Sequence, residues 1–201
     1  MTQLSASDLA TASLETVRQH LLTLFATLAY QEGNFTLSSG QSSSYYINGK
    51  KVTLTAEGAL ATGRLLLSLL EPDTVAVAGL TLGADPLVTA VSVVSAYENR
   101  PVAALIIRKE AKGHGTQAYI EGPELPQGAK VVVLEDVVTT GKSAMLAVER
   151  LRAIGYQVEE VISLVDREQG GAEFYQAQGL KFRAVFTISD IQARTRQLSP
   201  H

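Results

Sequence analysis

The apolar positions divide the chain into two regimes. Leu14, Val17, Leu21, Leu24, Phe25 and Leu28 recur at three- and four-residue steps, which sets them on one face and predicts a packing helix with Gly33 as its stop. Residues 35–54, FTLSSGQSSSYYINGKKVTL, lose that period; Ser and Gly give way to aromatic and β-branched residues, predicting loop, short strand and turn. From Thr55 onward helical stretches alternate with apolar runs. A helix to about residue 70 leads into TVAVAGL, one at about residues 86–97 into PVAALIIR, and KVVVLEDV follows an interruption. A helix at about residues 143–154, YQVEEVISLV, a weaker helix near residues 172–178 and KFRAVFTI complete the series.

Runs that are apolar on both faces suit buried parallel strands, because crossover helices cover both sides of such a sheet. The pattern predicts one α/β domain over residues 1–201, with a mostly parallel central sheet of about five strands flanked by helices. Its final residues, RTRQLSPH, read as a frayed tail. Ligands of open sheets bind where the carboxyl ends of the strands meet their loops.

Composition narrows the functions. With 201 residues, 46% of them hydrophobic, the chain can bury a substantial core. A net charge of -3 gives no bulk attraction for nucleic acid or an acidic membrane, so an anionic ligand needs a local basic site. The absence of cysteine excludes disulfides and thiolate chemistry, leaving oxygen ligands or three histidines for any metal. Neither a basic leader nor a spanning apolar run is present, the longest aliphatic run being Val102 to Ile107, and a cytoplasmic protein is expected.

Chemistry concentrates in KVVVLEDVVTTGKSAMLAVERL, residues 130–151, where a strand passes through two acids and a small polar turn into an amphipathic helix. Backbone amides from Thr139 to Ser143 would face an anion at the helix start, where unpaired N–H groups and the dipole favour negative charge. Glu135 and Asp136 would repel phosphate but suit the vicinal hydroxyls of a ribose, so the pair beside a cradle spells ribose 5-phosphate. A nucleotide-triphosphatase loop is excluded by spacing, since Asp136 stands where the first glycine is required.

A second cluster follows PVAALIIR: Arg108, Lys109, Lys112 and His114, bracketed by Gly113 and Gly115. Its charge suits a polyanion such as pyrophosphate, and His114 sits among cations and glycines, unlike His20 in the first helix and His201 at the end. Arg167, at the end of a predicted strand, has the fork geometry for a carboxylate or carbonyl.

Residues 131–143, VVVLEDVVTTGKS, resemble the phosphoribosyl pyrophosphate (PRPP) signature of type I phosphoribosyltransferases. RKEAKGHG resembles the R-K-x-x-K-x-H-G loop of orotate phosphoribosyltransferases, and residues 35–46 resemble their F-T-L-x-S-G…S-x-Y-[YF] segment. This resemblance implies the type I fold with a small N-terminal hood at about residues 30–55 and a mobile catalytic loop at about residues 108–122. It implies a pentosyltransferase joining orotate to PRPP, giving orotidine 5'-monophosphate and pyrophosphate in UMP biosynthesis. Arg108, Lys109, Lys112, His114, Glu135, Asp136, Val137, Val138, Thr139, Thr140, Gly141, Lys142 and Ser143 become the PRPP contacts, with Lys112, His114 and Asp136 catalytic. Thr140, Arg167, Phe35, Ser39 and Tyr45 become the orotate contacts. Magnesium would be held mainly by substrate and water, and a homodimer would share its catalytic loops between subunits.

Two departures stand out. Ser38 and the turn around Gly83 occupy places where some members carry lysine, and Lys50 or Lys51 is the candidate substitute. A purine acceptor and a non-catalytic PRPP sensor are the alternatives; the basic loop and Arg167 speak against the first, the lack of a basic face or extension against the second.

Overall fold

The computed structural model describes residues 5–36, 42–111 and 119–199. Two helices open it, α1 (Ala6–Thr11) and α2 (Leu14–Leu24), each begun by a serine, Ser5 or Ser13, whose side chain accepts a hydrogen bond from an amide three residues on. Helix α2 continues into a π-helical turn, Phe25–Ala29, and a hairpin follows, β1 (Tyr30–Thr36) with β2 (Ser42–Ile47). The expected helix stop at Gly33 is therefore displaced: pairing of Tyr30 with Ile47 ends the helix earlier. Gly33, at φ 153°, lies where the register shifts between Glu32 and Phe35, a bulge that glycine permits.

After the short α3 (Lys50–Thr53) and α4 (Ala56–Leu69) come the alternating units: β3 (Ala76–Leu80), α5 (Asp85–Tyr97), β4 (Ala103–Ile107), β5 (Ile120–Glu121), β6 (Val131–Val138), α6 (Lys142–Ala153), β7 (Glu160–Asp166), α7 (Gly171–Ala177), β8 (Lys181–Thr187) and α8 (Ile188–Leu198). The sheet order is β5-β4-β3-β6-β7-β8. The five expected strands run parallel to one another, and two-residue β5 adds an antiparallel edge beside β4.

Alternation along the strands divides the core. Val132 and Leu134 pack with Leu21, Leu66 and Val91 from α2, α4 and α5, whereas Val131 and Val133 pack with Val148, Leu151 and Tyr175 from α6 and α7. Each such fully buried side chain contributes roughly 1.5–3 kcal/mol relative to exposure. Residues 194–198 of the expected frayed tail are instead the last turns of α8, and residues 200–201 lie outside the described residues. Thr187 and Asp190 form a capping box, Ile188 and Ile191 are buried, and Arg194 donates to the hydroxyl of Thr23 on α2.

The chain leaves β3 toward β4 on one side and later runs from β6 through β7 to β8 on the other. Between β3 and β6 the direction of winding reverses, which opens a crevice at their carboxyl ends.

Candidate active site

Beyond β6 lies a cavity of about 800 Å³, lined by residues 137–143 together with Glu135, Arg167, Tyr175 and, from the hairpin, Thr36, Tyr46 and Ile47. Eight of the positions expected to bind PRPP thus surround one space, as do Thr140 and Arg167 from the expected orotate set.

One end of this cavity is built for an anion. Helix α6 begins after Gly141, which adopts φ 83° and supplies no side-chain cap, so the first amides of a 12-residue helix are left to a ligand. The core-packing helices α1, α2, α4 and α8 all carry a Ser or Thr cap, while α5, starting from Ala84 at the other lip of the crevice, has none. Packing enforces glycine as well: a Cβ at Gly141 would lie 2.7 Å from Phe174 Cδ1 and 3.0 Å from Tyr175 Cζ. Helix α7 therefore supports the loop from below.

Consecutive acids at the strand end point to different neighbours. Glu135 is buried, its Oε1 accepting from the Asp136 amide at 3.3 Å and its Oε2 lacking any partner. Burial, and after it the charge of Asp136, pushes its carboxyl well above the ordinary carboxylate range. Asp136 does not line the cavity; it lies against Gly49, Gly83 and Lys50, whose Nζ is 3.6 Å from Oδ2. A Cβ at Gly83 would stand 2.6 Å from Asp136 Oδ1, so a lysine cannot occupy that place without displacing the carboxylate.

At the opposite end, Arg167 is 7% exposed and has no acidic partner among the described residues. Its Nε donates to the Tyr45 hydroxyl at 3.1 Å and its Nη2 to Ser43 Oγ at 3.3 Å, with the guanidinium 4.7 Å from the Tyr45 ring centroid. A buried cation held only by neutral groups is a receptor for an anion. Tyr45, expected to touch the acceptor base, is buried and holds Arg167; strand alternation turns Tyr46 to the cavity in its stead, with its ring 5.6 Å from that of Phe35. Phe35 itself lines a smaller adjoining pocket with Ser42–Ser44.

The basic loop leaves the sheet between β4 and β5. Arg108 pairs with Glu121 at 3.0 Å, and neither Arg108 nor Lys109 lines the cavity of its own chain. Arg150 on α6 was not singled out from the sequence: it donates to the carbonyls of Arg108 and Lys109, and lies 3.9 Å from the Tyr119 ring centroid. Lys112 and His114, and likewise Ser38 and Ser39, lie outside the described residues.

No cluster of three potential metal ligands occurs among the described residues, and no described helix is long and apolar enough to cross a membrane. Two carboxylate oxygens, Glu135 Oε2 on β6 and Asp85 Oδ1 at the start of α5, are buried without a hydrogen bond.

Comparison with known proteins accords with this geometry. A family model described as uracil phosphoribosyltransferase matches residues 84–188, just over half of the chain. An orotate phosphoribosyltransferase of Nostoc sp. is 75% identical over 97% of this chain and 96% of its own length. Among solved structures, the orotate phosphoribosyltransferase of Mycobacterium tuberculosis H37Rv with Fe(III) dicitrate superposes with a TM-score of 0.76 at 39% identity, covering 87% of this chain and 98% of that one. The same enzyme in complex with PRPP gives a TM-score of 0.72 at 36% identity, covering 88% and 99%. An uncapped helix start, two strand-end acids and a buried arginine with no acidic partner among the described residues thus meet in a chain that belongs to the orotate phosphoribosyltransferase family of type I phosphoribosyltransferases.

Proposed function

We propose that this chain transfers the 5-phosphoribosyl group of PRPP to orotate, giving orotidine 5'-monophosphate and pyrophosphate for UMP synthesis. The carrying observation is Arg167, a buried guanidinium without an acid partner, on the cavity whose other end is the uncapped start of α6. A phosphate and a carboxylate can be held at once. Of the pyrimidine acceptors, orotate has a carboxylate for the guanidinium and uracil does not.

In this mechanism the amides and hydroxyls of residues 139–143 hold the 5-phosphate, and Glu135 and Asp136 accept hydrogen bonds from the ribose hydroxyls. Arg167 fixes the orotate carboxylate, and Thr140 and Tyr46 border the ring. A ring nitrogen of orotate attacks C1 of the ribose as the bond to pyrophosphate breaks, and the strand-end carboxylates face the positive charge growing on the sugar. Lys112 and His114, with Arg108 and Lys109, neutralise the departing diphosphate from the loop of a partner subunit. The all-oxygen donor set, with Glu135 Oε2 and Asp85 Oδ1 unpaired, fits magnesium bound chiefly through substrate and water. When bound, that ion supplies charge neutralisation of the diphosphate.

We read residues 1–201 as one domain, with the hairpin as its hood, working in the cytoplasm without nucleic acid or membrane. The homodimer is supported by an apolar face along α3–α5, where Leu54, Leu82 and Val93 are 70%, 69% and 52% exposed. Orotate consumption followed by absorbance with PRPP and magnesium tests the activity, with uracil, adenine and hypoxanthine as competing acceptors. Turnover of orotate alone is expected; preference for another base overturns the reading.

A further inference from the structure

Asp136 is walled by backbone. Gly83 meets it on one side, and on the other a Cβ at Gly49 would come within 3.4 Å of its Cβ. Oδ1 accepts from the amide of Val137 at 3.0 Å. The charge partner is Lys50, which the close passage of Gly49 delivers to Oδ2 at 3.6 Å. Its side chain is 42% exposed against 12% for that of Asp136 and borders the apolar face beside Leu54 and Leu82, so the ammonium reaches from there toward a carboxylate that cannot reach outward. At this separation the contact is coulombic rather than a hydrogen bond, and the three N–H donors remain available.

Layout then assigns those donors a ligand. If the 5-phosphate sits on residues 139–143 and the ribose hydroxyls on the acids of β6, the 1-diphosphate is the part of the substrate left to the Gly83 side of the crevice. That side holds the uncapped start of α5 and Lys50. A diphosphate there would meet Asp136 and Glu135 as like charges unless a cation stood between them.

We infer that Lys50 is a substrate-contacting residue that binds the diphosphate of PRPP and, when the site is empty, neutralises Asp136. This rests on the PRPP reading of the cavity. The flexible stem of a lysine suits the exchange: the ammonium turns from the carboxylate to the diphosphate and leaves Asp136 free to accept a ribose hydroxyl. Lys50 thereby takes the place of cations that Ser38 and Gly83 do not provide.

Titration calorimetry with PRPP–magnesium and with inorganic pyrophosphate–magnesium, on the wild-type chain and Lys50→Met, tests this directly. Both ligands are expected to bind the variant about tenfold to a hundredfold more weakly, the range for losing one charge-assisted hydrogen bond. In steady-state assays the KM for PRPP should rise by a similar factor, while the KM for orotate stays within about twofold and Tm within about 2 °C. Affinities for PRPP and pyrophosphate within twofold of wild type overturn the role of Lys50 alone. Equal losses for PRPP and orotate with a lowered Tm overturn it in favour of a structural lysine. A wild-type chain that binds no PRPP overturns the site reading and this inference together.

Discussion

Arg167 Nε donates to the hydroxyl of Tyr45 at 3.1 Å, joining the end of β7 to the N-terminal hairpin across 122 residues of chain. The hydrogen bond makes the hairpin part of the acceptor site although Tyr45 itself is buried. Tyr45→Phe keeps the ring under the guanidinium and removes this hydrogen bond, about 0.5–1.5 kcal/mol, together with the longer one that Gln169 Nε2 donates to the same hydroxyl at 3.5 Å. The KM for orotate should rise roughly two- to tenfold with that for PRPP unchanged. Equal changes in both would show that Tyr45 acts on the fold instead.

Gly141 combines a left-handed backbone, φ 83°, with Phe174 Cδ1 only 2.7 Å from where a Cβ would stand. Gly141→Ala should cost about 2–4 kcal/mol from backbone strain and overpacking together, read as a lower midpoint in denaturant. PRPP binding should weaken in the same variant, because Phe174 and Tyr175 can yield only by shifting the loop.

Glu135 gives a pH dependence with a definite sign. Its folded-state pKa is raised, so the folded chain holds this proton more tightly than the unfolded chain does. The stability it contributes is complete below the ordinary value of 4.5 and is lost as pH rises toward the folded-state pKa. Glu135→Gln should remove that decline and raise the neutral-pH Tm by about 2–4 °C, for a gain on the order of 1 kcal/mol, while turnover falls. Thermal melts of both chains across pH check the sign; parallel curves would refute it.

Arg150 fixes the stem of the basic loop through the carbonyls of Arg108 and Lys109 and the ring of Tyr119. Arg150→Ala removes these contacts, about 1.5–3 kcal/mol of local stability. Trypsin should then cut at Arg108 or Lys109 about tenfold faster or more, with global Tm little changed. An unaltered cleavage rate would mean that the stem does not depend on α6.

Legibility followed the distance over which each feature is determined. The phosphate loop, its two acids and the five parallel strands were readable because strand, turn and helix start are contiguous in residues 130–151 and repeated in pattern elsewhere. Tyr45 and Tyr46 were not separable, since alternation says that one of them faces inward but only the hairpin's docking says which. Residues 194–198, the last turns of α8, look like a tail in sequence because the contact that anchors them, Arg194 to Thr23, is tertiary. Edge strand β5 has two residues, too few to carry a period. Arg150 looked like any helical surface charge, because its partners belong to a loop some forty residues earlier.

Helices α5 and α6 begin with no side-chain cap at the two lips of the crevice, as do the short α3 and α7 behind glycines, whereas α1, α2, α4 and α8 start from a Ser or Thr cap. A bound phosphate ester is thus a missing piece of secondary structure, and the free chain is an incompletely finished fold. Its resistance to unfolding, and so its lifetime against proteolysis, should follow the cellular supply of sugar phosphate: when substrate runs low, the catalyst itself becomes the perishable component.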